Sequence, residues 1–166
     1  MELLNNLAIG FNTALSLTNL LYCFFGVLLG TLIGVLPGLG AVATIAMLLP
    51  ATFSLPPVSS LIMLAGIYYG AQYGGSTTAI LVNLPGESSS VVTALDGYKM
   101  ARNGRAGAAL TTSAVGSFVA GSIATLLIAM FATPLSNVAL AFGPPEYFSL
   151  MVLGLVASVV LAHGSL

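Results

Sequence analysis

The amino-acid sequence predicts an all-α, polytopic membrane protein with discontinuous helices and a re-entrant hairpin. Three observations carry that prediction. From Leu3 to Gly86 the chain has no Asp, Glu, Lys or Arg, and charge is what keeps a water-facing surface dissolved. Charged residues are 4% of the 166 and hydrophobic ones 58%, against about 25% and 45–50% in ordinary globular proteins. The apolar run is also broken repeatedly by Gly, Pro, Ser and Thr. In hydrocarbon, broken backbone is tolerated only where it is buried in protein or lines a cavity. A membrane protein rich in such breaks is usually built to move something.

A mean hydropathy of +1.08 fits about four to six crossing or dipping segments, at roughly 20 residues per span. The net charge of −1 leaves no basic surface for nucleic acid, and a single cysteine, Cys23, excludes an intrachain disulfide. Met1 to Asn6 lacks the Lys/Arg start of a secretory signal, so the first span is expected to be retained. The apolar run up to Gly164-Ser165-Leu166 has no polar tail. Residues 1–166 are therefore expected to be a single transmembrane region, the N-terminal part of a longer protein.

Residues 1–17 read as an interfacial helix, mildly amphipathic and carrying Asn5, Asn6 and Asn12. Thr18 is placed to cap a span from Asn19 to about Leu36, which Pro37 ends. Leu39 to Leu49 is apolar but too short to cross, and Pro50 closes it, so a half-helix is expected. Pro56-Pro57 then opens a helix from Val58 to about Gln72, since Pro is tolerated in a first turn. From Tyr73 to Ser90, Gly-rich and hydroxyl-rich pieces flank a Pro-Gly pair, which predicts two short helical arms meeting at Pro85-Gly86. Val91 to Asn103 continues as helix, with Gly104 as its stop. Gly107–Thr133 and Glu146–Ala162 are the remaining spans. The excess of basic residues predicts that the loop over residues 96–106, with Lys99, Arg102 and Arg105, is cytoplasmic. The connection between Pro134 and Pro145 is then external.

Small residues recur every fourth position at Gly26, Gly30, Gly34 and Gly38, at Gly66, Gly70 and Gly74, and at Ser113, Ser117, Gly121 and Thr125. Each set lies on one side of a helix, where another backbone can approach closely. Tight packing is the plain reading, and a smooth sliding face is the functional one. Spacing does not separate them.

Leu-Pro-Gly occurs twice, at Leu36-Pro37-Gly38 and at Leu84-Pro85-Gly86. A helix can begin after each break and point free backbone N–H groups at it. Such ends attract carboxylate or phosphate without a basic side chain, at about 0.3–1 kcal/mol each and about 2 when partly buried. Paired breaks of this kind are the best sequence pointer to a transporter's binding site. The alternative is that they merely end helices at the membrane surface. The candidate anion-binding residues are Gly38, Gly40, Ser76, Thr77, Thr78, Asn83, Pro85, Gly86, Ser88 and Ser89. Ser88 or Ser89 is equally suited to capping the helix at Val91. Glu87 would repel an anion, so it is a candidate, with Asn83, for a coupling cation; it is just as well suited to capping its own helix. Glu146 sits in a first turn, where its charge suits the helix dipole. Tyr68, Tyr69 and Tyr73 read as an interface belt or a cavity wall. His163 stands alone, and no metal-ligand set or resident cofactor is expected.

The segment from Gly26 to Gly40 with its Leu-Pro-Gly-Leu-Gly resembles the large, TctA-type membrane subunit of the tripartite tricarboxylate transporters. So do Ile67-Tyr68-Tyr69-Gly70, Gly74-Gly75-Ser76-Thr77-Thr78, Leu84-Pro85-Gly86, Asp96-Gly97-Tyr98-Lys99-Met100-Ala101 and Gly104–Leu110. The resemblance covers essentially the whole chain, as the amino-terminal third of a longer permease. It implies a secondary carrier of the bacterial inner membrane that imports citrate-like tricarboxylates or related carboxylates on an ion gradient. Symport with sodium or protons, a small membrane partner subunit and a periplasmic binding protein are further implications. The other classes are a channel, which passive conductance would reveal, and a purely structural membrane subunit. An enzyme is not expected: Gly74-Gly75-Ser76-Thr77 fails the G-x-S-G pattern, and one Asp cannot make a two-aspartate site.

Overall fold

The computed structural model describes residues 2–163, with side chains described from residue 5 onward except 133, 158 and 160–163. Among these residues the regular elements are seven α-helices and one 3₁₀ turn, with no strand. They are α1 (Glu2–Ala14), α2 (Leu17–Gly34), α3 (Gly40–Leu48) with a 3₁₀ turn at Leu49–Thr52, α4 (Pro57–Val82), α5 (Ser90–Arg102), α6 (Ala106–Leu140) and α7 (Pro144–His163). Two of these, α2 and Ala106–Ala132 of α6, are long and apolar enough to cross a membrane; counting one bent pair as a span makes three. The chain divides into two units, Met1–Ser117 and Phe118–Leu166.

The first unit is built on α2 against α4. Ideal Cβ atoms on Gly26, Gly30 and Gly34 would collide with the backbone of Met63, Ile67 and Ala71, and those on Gly66, Gly70 and Gly74 with the backbone of Cys23, Val27 and Thr31. The two glycine stripes therefore interleave, and because residue numbers rise together on both sides the helices run parallel. Lipid offers no hydrophobic drive to pair helices, so close backbone approach and dispersion hold such a seam. At its start Ser59 Oγ donates to Asn19 Oδ1 (2.7 Å) and Asn19 Nδ2 to the Thr13 carbonyl (2.8 Å). Asn19 and Ser59 are buried, and each polar group has found a partner.

Parallel neighbours need a return connection, and α3 with its 3₁₀ turn supplies it. Gly40 starts beside Gly86 and Glu87, while Thr52, at the other end, accepts a hydrogen bond from Ser60 Oγ through its carbonyl (2.9 Å). The limb covers roughly 20 Å by helical rise. The short apolar stretch is thus a half-helix extended by a turn that includes Pro50, not one closed by it.

Three local expectations need correction. Helix α2 starts at Leu17 after Ser16, so Thr18 lies inside its first turn and does not cap it. Gly74–Thr78 is not an arm of a break but the interior of α4, a continuous helix of 26 residues, about 39 Å long. Gly74 is accommodated there because it faces α2, and Gly75 because it faces Gly86. The Pro-Gly segment also does not join two arms at a tip. Residues 83–89 fold back along α4, so that Ser89 reaches Gln72. Gly97 then lies on Ile80. Both contacts advance by eight positions, so α5 runs parallel to α4.

Helix α5 ends as expected. Gly104 has φ +75, its N–H donates to the Ala101 carbonyl, and that of Arg105 to Met100, which is the Schellman arrangement. Lys99 and Arg102 lie in the last turn of α5, so only Asn103–Arg105 of the charged segment is loop.

In the second unit Pro134 does not stop α6, which continues to Leu140. The break comes at residues 141–143, and Pro134–Leu140 and Pro144–Ala157 meet at 95°. Pro144 enters the first turn of α7, and Glu146 closes it by accepting the Gly143 N–H at Oε2 (2.8 Å). His163's side chain lies outside the described residues.

Candidate transport site

The glycine stripes position the site. Close approach of α2 to α4 leaves the end of α2 at Gly34-Val35 beside Gly74. The chain then turns through two glycines of positive φ, Gly38 (+88) and Gly40 (+66), a backbone state that β-carbon-bearing residues adopt at a cost. α3 starts at Gly40 with no side-chain cap, so the N–H groups of its first turn have no helical partner. Residues 83–89 cross the same place. A Cβ on Gly86 would lie 2.6 Å from Gly75 Cα and 3.2 Å from the Gly34 carbonyl oxygen, and one on Gly40 would lie 3.7 Å from Glu87 Cβ. Gly34 and Gly40, which flank the first Leu-Pro-Gly, therefore meet Gly86 and Glu87 of the second break. They do so at Gly74-Gly75, eight residues before Asn83, so α4 continues for about 12 Å beyond the junction.

Of the expected residues, Gly40, Gly86, Glu87 and Ser89 are at the junction. Gly86 is buried, Pro85 and Glu87 are half-buried, and Ser88 and Ser89 are exposed. Ser76, Thr77 and Thr78 follow on α4, half-buried. Thr77 donates its hydroxyl to the Tyr73 carbonyl (2.9 Å), and Thr78 to those of Gly75 (3.0 Å) and Gly74 (3.4 Å). Their protons are used within the helix, leaving lone pairs. Gly38 is open, with nothing within 4 Å of its Cβ position. Asn83 is exposed and left-handed (φ 58), and its N–H donates to Thr78 to end α4. It acts there as a helix terminator, away from the junction.

Neither Ser88 nor Ser89 caps α5 with its side chain: Ser89, before the helix, is itself in the α conformation. Ser90 does the closing instead. Its Oγ accepts the Glu87 N–H (3.2 Å) and donates to the Glu87 carbonyl (2.8 Å).

One participant, Gln72, escapes a reading by motif. Gln72 Nε2 donates to Tyr68 Oη (3.0 Å), and Ser89 Oγ lies 3.3 Å from Gln72 Oε1 and 2.9 Å from Glu87 Oε1. Tyr68 is thereby linked to the junction through Gln72. Gln72 is the chain's one glutamine, and a lone amide in an uncharged helix was the available signal. The arrangement offers hydroxyl and amide groups, helix-start N–H groups and one carboxyl, with no cation. That set can hold an anion loosely and can take up a proton or small cation.

No solved structure matches this chain. It is 70% identical over 165 residues to a protein of Agrobacterium vitis named as an uncharacterized 52.8 kDa protein in the TAR-I ttuC' 3' region. The match covers 99% of this chain and 33% of that protein, so the chain spans about a third of its relative's length. Residues 20–166 match the model of the tripartite tricarboxylate transporter TctA family. With its apolar helices, this chain is an integral membrane protein and belongs to the tripartite tricarboxylate transporter TctA family.

Proposed function

We propose that this chain forms the carboxylate-binding junction of a permease that imports citrate-like tricarboxylates or related carboxylates on an ion gradient. A periplasmic binding protein delivers the substrate, and a small membrane subunit completes the transporter in the bacterial inner membrane. The turn with Arg105, together with Lys99 and Arg102, faces the cytoplasm. The observation that carries the reading is the meeting of Gly34 and Gly40, on either side of the first Leu-Pro-Gly, with Gly86 of the second beside Gly75. Interrupted backbone there adjoins the start of α3, which favours anions. Each such end contributes about 0.3–2 kcal/mol, which suits a cargo that must also be released.

Uptake of labelled citrate and shorter dicarboxylates by the complete transporter tests this. Accumulation against a gradient, weakened by Ser76→Ala and Pro85→Ala, is expected. Passive conductance, or unchanged substrate affinity in both variants, would exclude the site.

A further inference from the structure

Tyr68, Gln72, Ser89 and Glu87 form one hydrogen-bonded line from α4 to the 83–89 limb. Ser89 has a single hydroxyl hydrogen, yet it faces two acceptor-type oxygens, Gln72 Oε1 and Glu87 Oε1. If Glu87 is ionised and the amide stays as placed, one of those contacts has no hydrogen in it. Two arrangements, one for each charge state of Glu87, satisfy every link. In one, Glu87 is protonated and donates to Ser89 Oγ, Ser89 donates to Gln72 Oε1, and Gln72 Nε2 donates to Tyr68 Oη. In the other, Glu87 is ionised and accepts from Ser89, the amide is turned over so that Nε2 donates to Ser89 Oγ, and the Tyr68 hydroxyl donates to Gln72 Oε1. An ionised Glu87 admits only the second arrangement, whereas a protonated Glu87 admits the first as well.

We propose that Glu87 is a proton-binding residue of the permease, with Ser89 and Gln72 as positioning residues that carry its charge state to α4. This rests on the carrier reading above and specifies the coupling ion at the junction as a proton. The step is carboxylate plus proton giving carboxylic acid, with the proton taken from water and returned to it. The surroundings suit such a role. Among the described residues, α4 carries Tyr68, Tyr69 and Tyr73 near this end, and α3 brings no titratable group. Tyr22 and Cys23 of α2 lie at least eleven residues before Gly34, and Asp96, Tyr98, Lys99 and Arg102 lie beyond the first turn of α5. No lysine or arginine of these elements stands beside the half-buried carboxyl.

The test uses the complete transporter in vesicles, with uptake of labelled citrate driven by a pH gradient without sodium, or by a sodium gradient at equal pH. Accumulation on the pH gradient is expected, with a flat pH profile in Glu87→Gln whatever its absolute rate and a displaced profile in Ser89→Ala. In detergent, pH-difference infrared spectra should show a protonated-carboxyl band that Glu87→Gln removes, a readout that needs folded protein but no turnover. Uptake that follows sodium alone, an unmoved profile in Ser89→Ala, or a band that survives Glu87→Gln would overturn the proposal while leaving the carrier reading intact. Failure of the wild type to move any carboxylate under either gradient would overturn both.

Discussion

Gly34 and Gly86, far apart in sequence, share one tight contact: the Gly34 carbonyl oxygen lies 3.2 Å from where a Cβ on Gly86 would sit. Gly75 Cα lies closer still, at 2.6 Å. Backbone atoms cannot step aside as a flexible side chain can. Gly86→Ala is therefore expected to lower stability by about 1–3 kcal/mol and to reduce uptake. Gly107→Ala, in the first turn of α6 with nothing within 4 Å, is expected to be neutral or stabilising by up to about 1 kcal/mol. Thermal unfolding of the two purified variants, side by side, measures the contrast.

The buried pair at the start of the seam makes a second prediction. Ser59→Ala removes the donor to Asn19 Oδ1 and leaves that oxygen without a partner. A loss of about 1–3 kcal/mol is expected, seen as a lower unfolding temperature. No change would show that water reaches Asn19.

Neighbouring hydroxyls on α4 should differ in transport. Thr77 spends its proton on the Tyr73 carbonyl, whereas the Ser76 hydroxyl makes no hydrogen bond among the described residues. Ser76→Ala is expected to raise the KM for citrate several-fold, in line with about 1 kcal/mol for one hydrogen bond, and Thr77→Ala to have the smaller effect. Equal effects would place the cargo elsewhere.

Helices α2, α4 and α5 all run the same way, so α1 and the Asn103–Arg105 turn are expected on opposite faces of the membrane. In a Cys23→Ser background, Asn103→Cys should react with an impermeant thiol reagent from the cytoplasmic side only. Asn12→Cys should react from the other side only. Labelling of both from one side would contradict the parallel arrangement.

Much of this was legible in the residues. The spacing of Gly26, Gly30 and Gly34 and of Gly66, Gly70 and Gly74 marked two close-packing faces, and the Leu-Pro-Gly pairs marked the places where the chain turns. That the two faces meet each other was not legible, since a stripe specifies a smooth surface and not its partner. Gly74–Thr78 was misread because glycine and hydroxyl residues are poor helix formers in water, while in a packed membrane helix they are favoured where backbones touch. Pro134 misled for the related reason that transmembrane helices tolerate proline when neighbouring groups satisfy the freed carbonyl. Gln72 was passed over because no motif contains it, and its role depends on a limb that doubles back.

The glycine seam has a mechanical consequence. Gears with fully meshed teeth cannot slip by a fraction of a tooth, and here each tooth is main chain, which cannot change rotamer to let its neighbour by. Helices α2 and α4 must therefore travel as one rigid beam. Within residues 1–117, any bending beside that beam falls to the two connections that run along it, residues 35–56 and 83–89.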